Sequence, residues 1–366
     1  MTTVPLEEPD TTRPAIDQAQ VEAFTSRVLG DTSATTTTVL AAIGDRLGLF
    51  KDLAAHGPAT SAELASRTSV QERYAREWLG AMASAGYLSY EPAGRRFSLP
   101  PAHVPALAEE SGPFFFGGVH QMLLGMLGPI DGIAQAIRAG GGVPQSAYPE
   151  STYDGMDRFT AGWFENLLLQ QWIPAVPDVQ AKLVRGCRVA DVGCGRGRAL
   201  IKLAQAFPAS RFVGYDVYGP NVDRATANAR AASVSDRVHF RQADVAQGLD
   251  GRYDLITTFD VVHDAVDPRG MLRSIRQALE PDGVYLCLDI NCSDKLEDNA
   301  GPLGALFQGF SILYCLTTSL AHGGEGLGTV GLPEAKLREL AEQAGFGSVR
   351  HVPLENPFNN LYDVRP

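Results

Sequence analysis

Apolar positions recur with a helical period near the amino terminus and with strand–helix alternation in the second half of the chain. Val39, Ile43 and Leu47 stand at i, i+4 and i+8, which predicts a helix over residues 36–56. "SAELASRT" predicts a second, short helix with Ser61 as its N-cap. "QERYAREWLGAMASAG" predicts a third, with Tyr74, Trp78 and Met82 on one face and Gly86 at its end. "YLSYEPAGRRFSLP" alternates around Pro-Ala-Gly in the manner of a β-hairpin. Three helices followed by a hairpin make a winged helix.

From residue 187 the period changes. "CRVADVG", "SRFVGYDV", "VHFRQADV", "YDLITTFDVV" and "GVYLCLDI" read as strands. Helical segments such as "RALIKLAQAF", "VDRATANARAAS" and "PRGMLRSIRQALE" separate them. Repeated strand–helix units predict an α/β class with a mostly parallel sheet covered on both faces. After a helix at "PEAKLRELAEQAG", the segments "SVRHVPLE" and "NNLYDVRP" form a closing pair, antiparallel to each other across a short turn.

Residues 106–180 are rich in Gly, Pro and aromatics, with helical stretches around "GGVHQMLLGMLGPIDGIAQAIRAG" and "MDRFTAGWFENLLLQQWIPAV". The expected organisation is a disordered tail (1–17), a winged-helix dimerisation domain (18–105), a helical linker and substrate cap (106–180) and a ligand-binding α/β domain (181–366). Gly140–Gly142 with Pro144 is the expected flexible point of the cap. The segment "ALFQGFSILYCLTTSLA" (305–321) is uncharged and approaches spanning length. Its Gln308, Ser311, Thr317, Thr318 and Ser319 suit a buried helix lining a pocket better than a membrane span.

Charge narrows the function classes. The formal net charge of −11 over 366 residues argues against broad, charge-driven nucleic-acid binding. Within residues 36–100, seven Lys/Arg face six Asp/Glu, and the would-be recognition helix balances Arg73 and Arg76 against Glu72 and Glu77. A phosphate-tracking surface needs a positive excess, so dimerisation is the preferred role for this domain. The first residues carry no basic segment followed by an apolar one, so no secretory signal is expected there. Five cysteines without a C-x-x-C pair fit reduced thiols in the cytoplasm.

The candidate chemistry starts at "ADVGCGRGRAL" (190–200). Its glycines, Gly193, Gly195 and Gly197, follow G-x-G-x-G. The dinucleotide fingerprint asks for a glycine where Arg198 stands. No Walker A loop is present. Asp191 precedes the loop, Asp216 ends the second strand and Asp244 ends the third. The carboxyl ends of successive strands form the ligand crevice of an open α/β sheet. Asp216 can accept both hydroxyls of a ribose there, and Asp244 can accept from an adenine amino group. Each acid alone can also be a plain helix cap.

"VADVGCGRGRAL", "FVGYDV", "RQADV" and "LEPDGVYLCLDI", in that order, resemble the motifs of class I S-adenosylmethionine (SAM)-dependent methyltransferases over residues 181–366. With the winged helix, the chain resembles plant small-molecule O-methyltransferases and actinobacterial winged-helix methyltransferases. The resemblance implies a Rossmann-like seven-stranded sheet whose last strand is antiparallel. It implies SAM as cofactor, with Gly193, Cys194, Gly195 and Gly197 against its amino-acid part. Asp216 and Val217 would meet the ribose, Asp244 and Val245 the adenine, and Phe259 and Asp260 would border it. It also implies a homodimer through the amino-terminal domain and a small-molecule acceptor, with no nucleic acid or membrane.

His263 and Asp264, in "TTFDVVHDAVDP", match the "HD" of the plant enzymes, whose histidine is the catalytic base. The tryptophan that follows in that motif is Ala265 here. A phenol with a pKa of about 10 gains from such a base, whereas a carboxylate needs none. The expected reaction is O-methylation of an aromatic or polycyclic molecule, with Asp264 holding the tautomer of His263. The histidine can equally cap the next helix. Tyr153, Trp163 and His322 are expected to meet the substrate, since flat rings select flat acceptors. Three alternatives stand beside this reading. One is a SAM-sensing winged-helix regulator. The second is a nicotinamide-dependent oxidoreductase, against which the missing third fingerprint glycine counts. The third is a C-methyltransferase with a metal held by His263, His322 and Asp264. Arg196 and Arg198 are expected to face solvent.

Overall fold

The structure, a computed structural model, describes residues 16–366. The expected tail lies outside the described residues except for Ile16 and Asp17. The chain divides into two compact units, one ending at Pro101 and one spanning Ala102–Pro366.

The first unit has the expected order of helices followed by a hairpin, with four helices where three were expected. α1 (Gln18–Arg46) starts well before residue 36, capped by Asp17, whose side chain accepts from Ala19 N at 2.9 Å. The single helix expected over 36–56 is broken. Gly48 takes φ +72°, which only glycine adopts cheaply, and α2 (Leu49–His56) starts anew. α3 (Ser61–Thr68) is capped by Thr60 rather than Ser61. Thr60 Oγ1 accepts from Glu63 N, and the Glu63 carboxylate accepts from Thr60 N, a reciprocal box. α4 (Glu72–Ser84) buries Trp78 and Met82, but Tyr74, a turn earlier, is 78% exposed. Trp78 Nε1 donates to the Leu40 carbonyl at 2.8 Å, and its ring fills the place of a Cβ on Gly44. β1 (Ser89–Glu91) and β2 (Arg96–Ser98) form the antiparallel wing. The charges counted on α4 neutralise each other as Arg73–Glu77 and Arg76–Glu72 pairs.

The second unit begins with five helices: α5 (Val104–Leu107), α6 (Gly117–Met126), α7 (Ile130–Ala139), α8 (Glu150–Trp163) and α9 (Pro177–Arg185). Gly118 and Gly155 let α6 and α8 touch backbone to backbone, because a Cβ on either would lie about 2.4 Å from the backbone of the other helix. α8 runs on into a π-helical segment, Phe164–Trp172. Of the three glycines expected to flex, Gly140 and Gly141 have open space around them, whereas Gly142 is clamped. A Cβ on Gly142 would meet the Thr317 carbonyl at 1.9 Å, and Val143 N donates to that carbonyl at 3.1 Å.

The strand–helix alternation then appears as expected. β3 (Arg188–Val192), α10 (Arg198–Ala206), β4 (Arg211–Asp216), α11 (Gly219–Ala231), β5 (Val238–Gln242), β6 (Tyr253–Phe259), α12 (Pro268–Ala278) and β7 (Leu279–Ile290) follow in order. α13 (Pro302–Phe310), a π-helical turn (Ser311–Cys315) and α14 (Leu316–Leu320) make one helix. It is long and apolar enough to cross a membrane, yet half its residues are buried in the fold. α15 (Glu334–Gln343), β8 (Ser348–Val352) and β9 (Asn359–Arg365) close the chain.

The seven strands of the large sheet lie in the order β5-β4-β3-β6-β7-β9-β8. β3 to β7 pair in parallel, and β9 inserts antiparallel between β7 and β8. Neighbours along β3 serve opposite faces. Val189 joins Leu183, Leu200 and Leu203 on one side, while Ala190 joins Leu272, Ile275 and Leu337 on the other. With both faces covered, the active loops are left at the carboxyl edge.

Candidate active site

A cavity of about 820 Å³ opens at that edge, between the loops after β3, β4, β5 and β6 and the helices α6, α8 and α13. At one end is the glycine loop. Gly193, Gly195 and Gly197 all have positive φ, but each for its own reason. A Cβ on Gly193 would lie 2.5 Å from Val261, and one on Gly197 would lie 2.4 Å from Phe240. A Cβ on Gly195 would meet nothing within 4 Å. Gly193 and Gly195 line the cavity with Cys194, whereas Gly197 is packed behind it and works as a structural turn.

The three acids of the loop region differ in their surroundings. Asp191 is buried and accepts from Thr257 Oγ1 at 2.6 Å. Burial outweighs that bond and pushes its carboxyl up to about 7. Asp216 accepts from Gly195 N and Tyr218 N, at 2.8 and 2.9 Å, through its two oxygens. The Asn221 side chain bonds to it as well, which leaves a lone pair for a ligand hydroxyl. Burial also raises the Asp216 pKa against those bonds. Asp244 is exposed and caps the turn after β5 by accepting from Ala246 N at 3.0 Å. Val217 and Val245 line the cavity beside these acids.

After β6, Phe259 stacks on Trp172 with ring centroids 5.8 Å apart. Asp260 is held at φ +56°, an uncommon conformation for a non-glycine residue. Its carboxylate accepts from Asn359 Nδ2 at 2.7 Å, and burial pushes the acid up to about 8.

His263 is buried, with Nδ1 donating to Asp289 Oδ1 at 2.6 Å. Asp264 Oδ1 lies on the other side of the ring, 3.2 Å from Nε2. Asp264, expected to hold the tautomer of His263, thus faces Nε2, and the carboxylate at Nδ1 is Asp289, from β7. Burial alone would depress the imidazole pKa, but the two carboxylates prevail and raise it well above the ordinary histidine value. Cys315, on the π-helical turn, stands beside both His263 and Asp264. The metal set of two histidines and Asp264 is not what the structure brings together. Among the described residues the potential ligand cluster is His263, Asp264 and Cys315, and His322 lies elsewhere on the cavity wall.

The wall opposite the glycine loop is apolar and aromatic. Trp163 packs edge-on against Phe159, with centroids 4.5 Å apart. Tyr153 stacks on Tyr218 at 4.9 Å and donates to the Gln145 carbonyl at 2.6 Å. Phe307, Phe310 and Tyr314, from the segment expected to line a pocket, also line this half, together with Met122 and Met156, which sequence reasoning missed. The same reasoning misplaced Arg196 and Arg198. Arg196 is buried and pairs with Glu150 and Asp154, while Arg198 pairs with Asp157. Lys202 reaches Glu165, so a row of ion pairs joins the glycine loop and α10 to α8 and its extension. The acids at 150, 154 and 157 recur at helical spacing, a signal present in the sequence.

Residues 183–316 match a family described as a methyltransferase domain, and residues 35–109 match an Rv2258c-like winged HTH domain. A 3-hydroxy-5-methyl-1-naphthoate 3-O-methyltransferase from Streptomyces sahachiroi is 29% identical over 89% of this chain and 90% of its own. The chain spans about half the length (47%) of a matching ubiquinone biosynthesis O-methyltransferase from Cereibacter sphaeroides. It spans 5% of a Burkholderia thailandensis polyketide synthase. The solved structure of human N-acetylserotonin methyltransferase with SAM superposes with a TM-score of 0.69 at 18% identity, covering 97% of this chain and 99% of that one. An O-methyltransferase from neocarzinostatin biosynthesis, in complex with S-adenosyl-L-homocysteine and 1,4-dihydroxy-2-naphthoic acid, gives 0.63 at 22% identity, covering 93% and 98%. The chain thus joins a winged-helix domain to a methyltransferase domain and has the class I methyltransferase fold.

Proposed function

We propose that the protein is a SAM-dependent methyltransferase that methylates a hydroxyl of a small, planar aromatic molecule. The observation that carries this reading is a single cavity running from the glycine loop and Asp216 to His263, with an apolar aromatic wall between. The residues present suit SAM. Gly195 leaves open space at the loop, Asp216 keeps a lone pair, and the acids Asp191 and Asp260 complement a molecule bearing an ammonium and a sulfonium. When bound, SAM supplies an electrophilic methyl group on a positively charged sulfur.

The chain's own residues then do three things. Trp163, Phe159 and Phe307 exclude water and align a flat acceptor for in-line displacement. His263 takes the acceptor's hydroxyl proton at Nε2, with Asp289 orienting the ring through Nδ1. Asp264 faces the same nitrogen and stabilises the imidazolium once formed. Acceptors of the hydroxynaphthoate kind, named for two of the similar proteins, are the first compounds to try.

The first unit supports a homodimer. α1 exposes Val21, Phe24, Val28 and Leu29 along one helix, more apolar surface than a lone helix face keeps in water. The balanced ion pairs of α4 favour this role over DNA binding. A cytoplasmic location agrees with five free thiols.

The test is transfer of labelled methyl from SAM to a panel of planar phenols and their carboxylic-acid analogues. The reading expects label on phenolic oxygen. Label on carbon or nitrogen, or equal labelling of acids that lack a hydroxyl, would contradict it.

A further inference from the structure

His263, Asp264 and Cys315 present one imidazole nitrogen, one carboxylate oxygen and one sulfur within 4.8 Å of one another on the cavity wall. The contact between His263 Nε2 and Asp264 Oδ1 is unusual. It measures 3.2 Å, yet Oδ1 is buried and accepts no hydrogen bond. Two donor atoms about 3.3 Å apart form one edge of a tetrahedron whose metal–ligand bonds are about 2.0 Å. Closing the longest separation to sulfur needs a shift of roughly an ångström, given metal–sulfur bonds of about 2.3 Å.

The surroundings match what metal ligands receive from their neighbours. His263 Nδ1 is fixed by Asp289 at 2.6 Å, which leaves Nε2 to point at the other two donors. Thr329 Oγ1 donates to Cys315 Sγ at 2.9 Å, a bond that strengthens when the sulfur is a thiolate. The π-helical turn Ser311–Cys315 is the irregularity that brings this thiol to the cavity.

We propose that His263, Asp264 and Cys315 form a site for a borderline-soft divalent cation of the zinc, cobalt(II) or iron(II) kind, with its fourth position open to the cavity. One nitrogen, one oxygen and one sulfur donor suit such an ion and not magnesium or calcium, which prefer oxygen alone. Binding expels the Cys315 proton and occupies His263 Nε2, so protons are released to solvent. A filled site and a proton-accepting His263 are mutually exclusive. The proposal goes beyond the methyl-transfer reading and does not rest on it.

The probe is Co2+ added to chelator-treated full-length protein. One equivalent should produce a thiolate-to-cobalt charge-transfer band in the near ultraviolet, with visible bands of tetrahedral intensity. Cys315→Ser should lose the charge-transfer band, and His322→Ala should keep the whole spectrum. Asp264→Asn, which retains the thiol, should keep the band but weaken binding by at least ~10-fold. Calorimetric binding of S-adenosylhomocysteine to the same samples reports that the cavity is intact. Absence of the band in a wild-type sample that binds S-adenosylhomocysteine would overturn the proposal, and so would a band that survives in Cys315→Ser. Failure of S-adenosylhomocysteine to bind would count against the methyltransferase reading and leave the cobalt result standing.

Discussion

His263 Nδ1 and Asp289 Oδ1, both on buried side chains, lie 2.6 Å apart, joined across 26 residues of sequence. The pair makes His263 a strong base, with its raised pKa caused by Asp289 and Asp264. The neutral ring appears only as pH rises through that raised value, so turnover of a phenolic acceptor should climb with pH above neutrality. Because the folded pKa is raised, the pair's contribution to stability is present at lower pH and lost through the same rise. Asp289→Asn should move the rising limb to lower pH and cut the maximal rate by about 10-fold or more. A pH profile of kcat/KM for both proteins checks this; an unmoved limb would remove Asp289 from the mechanism.

The glycines separate binding from folding. Gly195→Ala places its methyl in open space and costs only the left-handed backbone, about 1 kcal/mol. It should fold and lose most of its affinity for SAM. Gly197→Ala drives a methyl to 2.4 Å from Phe240 and should destabilise the domain by about 2–3 kcal/mol. Denaturant unfolding beside SAM titration distinguishes the two. Equal effects of both substitutions on stability would contradict the assignment.

Asp191 gives the cofactor end its own pH signature. Its folded pKa of about 7 against an ordinary 3.8 means that stability present at acid pH is lost as pH rises through about 7. A bound ammonium beside it would favour the ionised form. SAM binding on the acid side of pH 7 should therefore release a proton, and affinity should strengthen as pH rises toward 7. Calorimetry in buffers of different ionisation enthalpy measures the release. Proton uptake, or none in wild type, would separate Asp191 from the cofactor.

The parts read well from sequence were those set by local period. The βα alternation, the closing antiparallel pair and the glycine loop need only neighbours in the chain to be recognised, and β3 to β9 stand where the pattern put them. What needed the folded chain was pairing across distance. Asp289 sits in "LCLDI" as the last polar residue of an apolar strand, and nothing local connects it to His263. Cys315 is equally anonymous, because a π-helical turn has no clear sequence signal. The break at Gly48 was legible and overlooked. Helical periodicity continues across it, and the glycine that permits the turn is the only mark.

Arg196 links the cofactor loop to α8 through Glu150 and Asp154, and its side chain is 6% exposed while those acids are 59% and 38% exposed. Removing it leaves half-solvated acids, so the cost should be about 1–3 kcal/mol rather than that of a fully buried pair. Arg196→Met should also loosen α8 over the cavity and speed S-adenosylhomocysteine release, with a smaller effect on the chemical step. Stopped-flow displacement reads the release rate. A slower chemical step with unchanged release would refute this latch role.

The central claim is that the cavity holds SAM. The most direct measurement is calorimetric titration of the purified full-length protein with SAM, S-adenosylhomocysteine and NAD. The account predicts micromolar binding of the first two, at one site per chain, and no binding of NAD. A folded protein that binds neither adenosyl compound, or that prefers NAD, would contradict it.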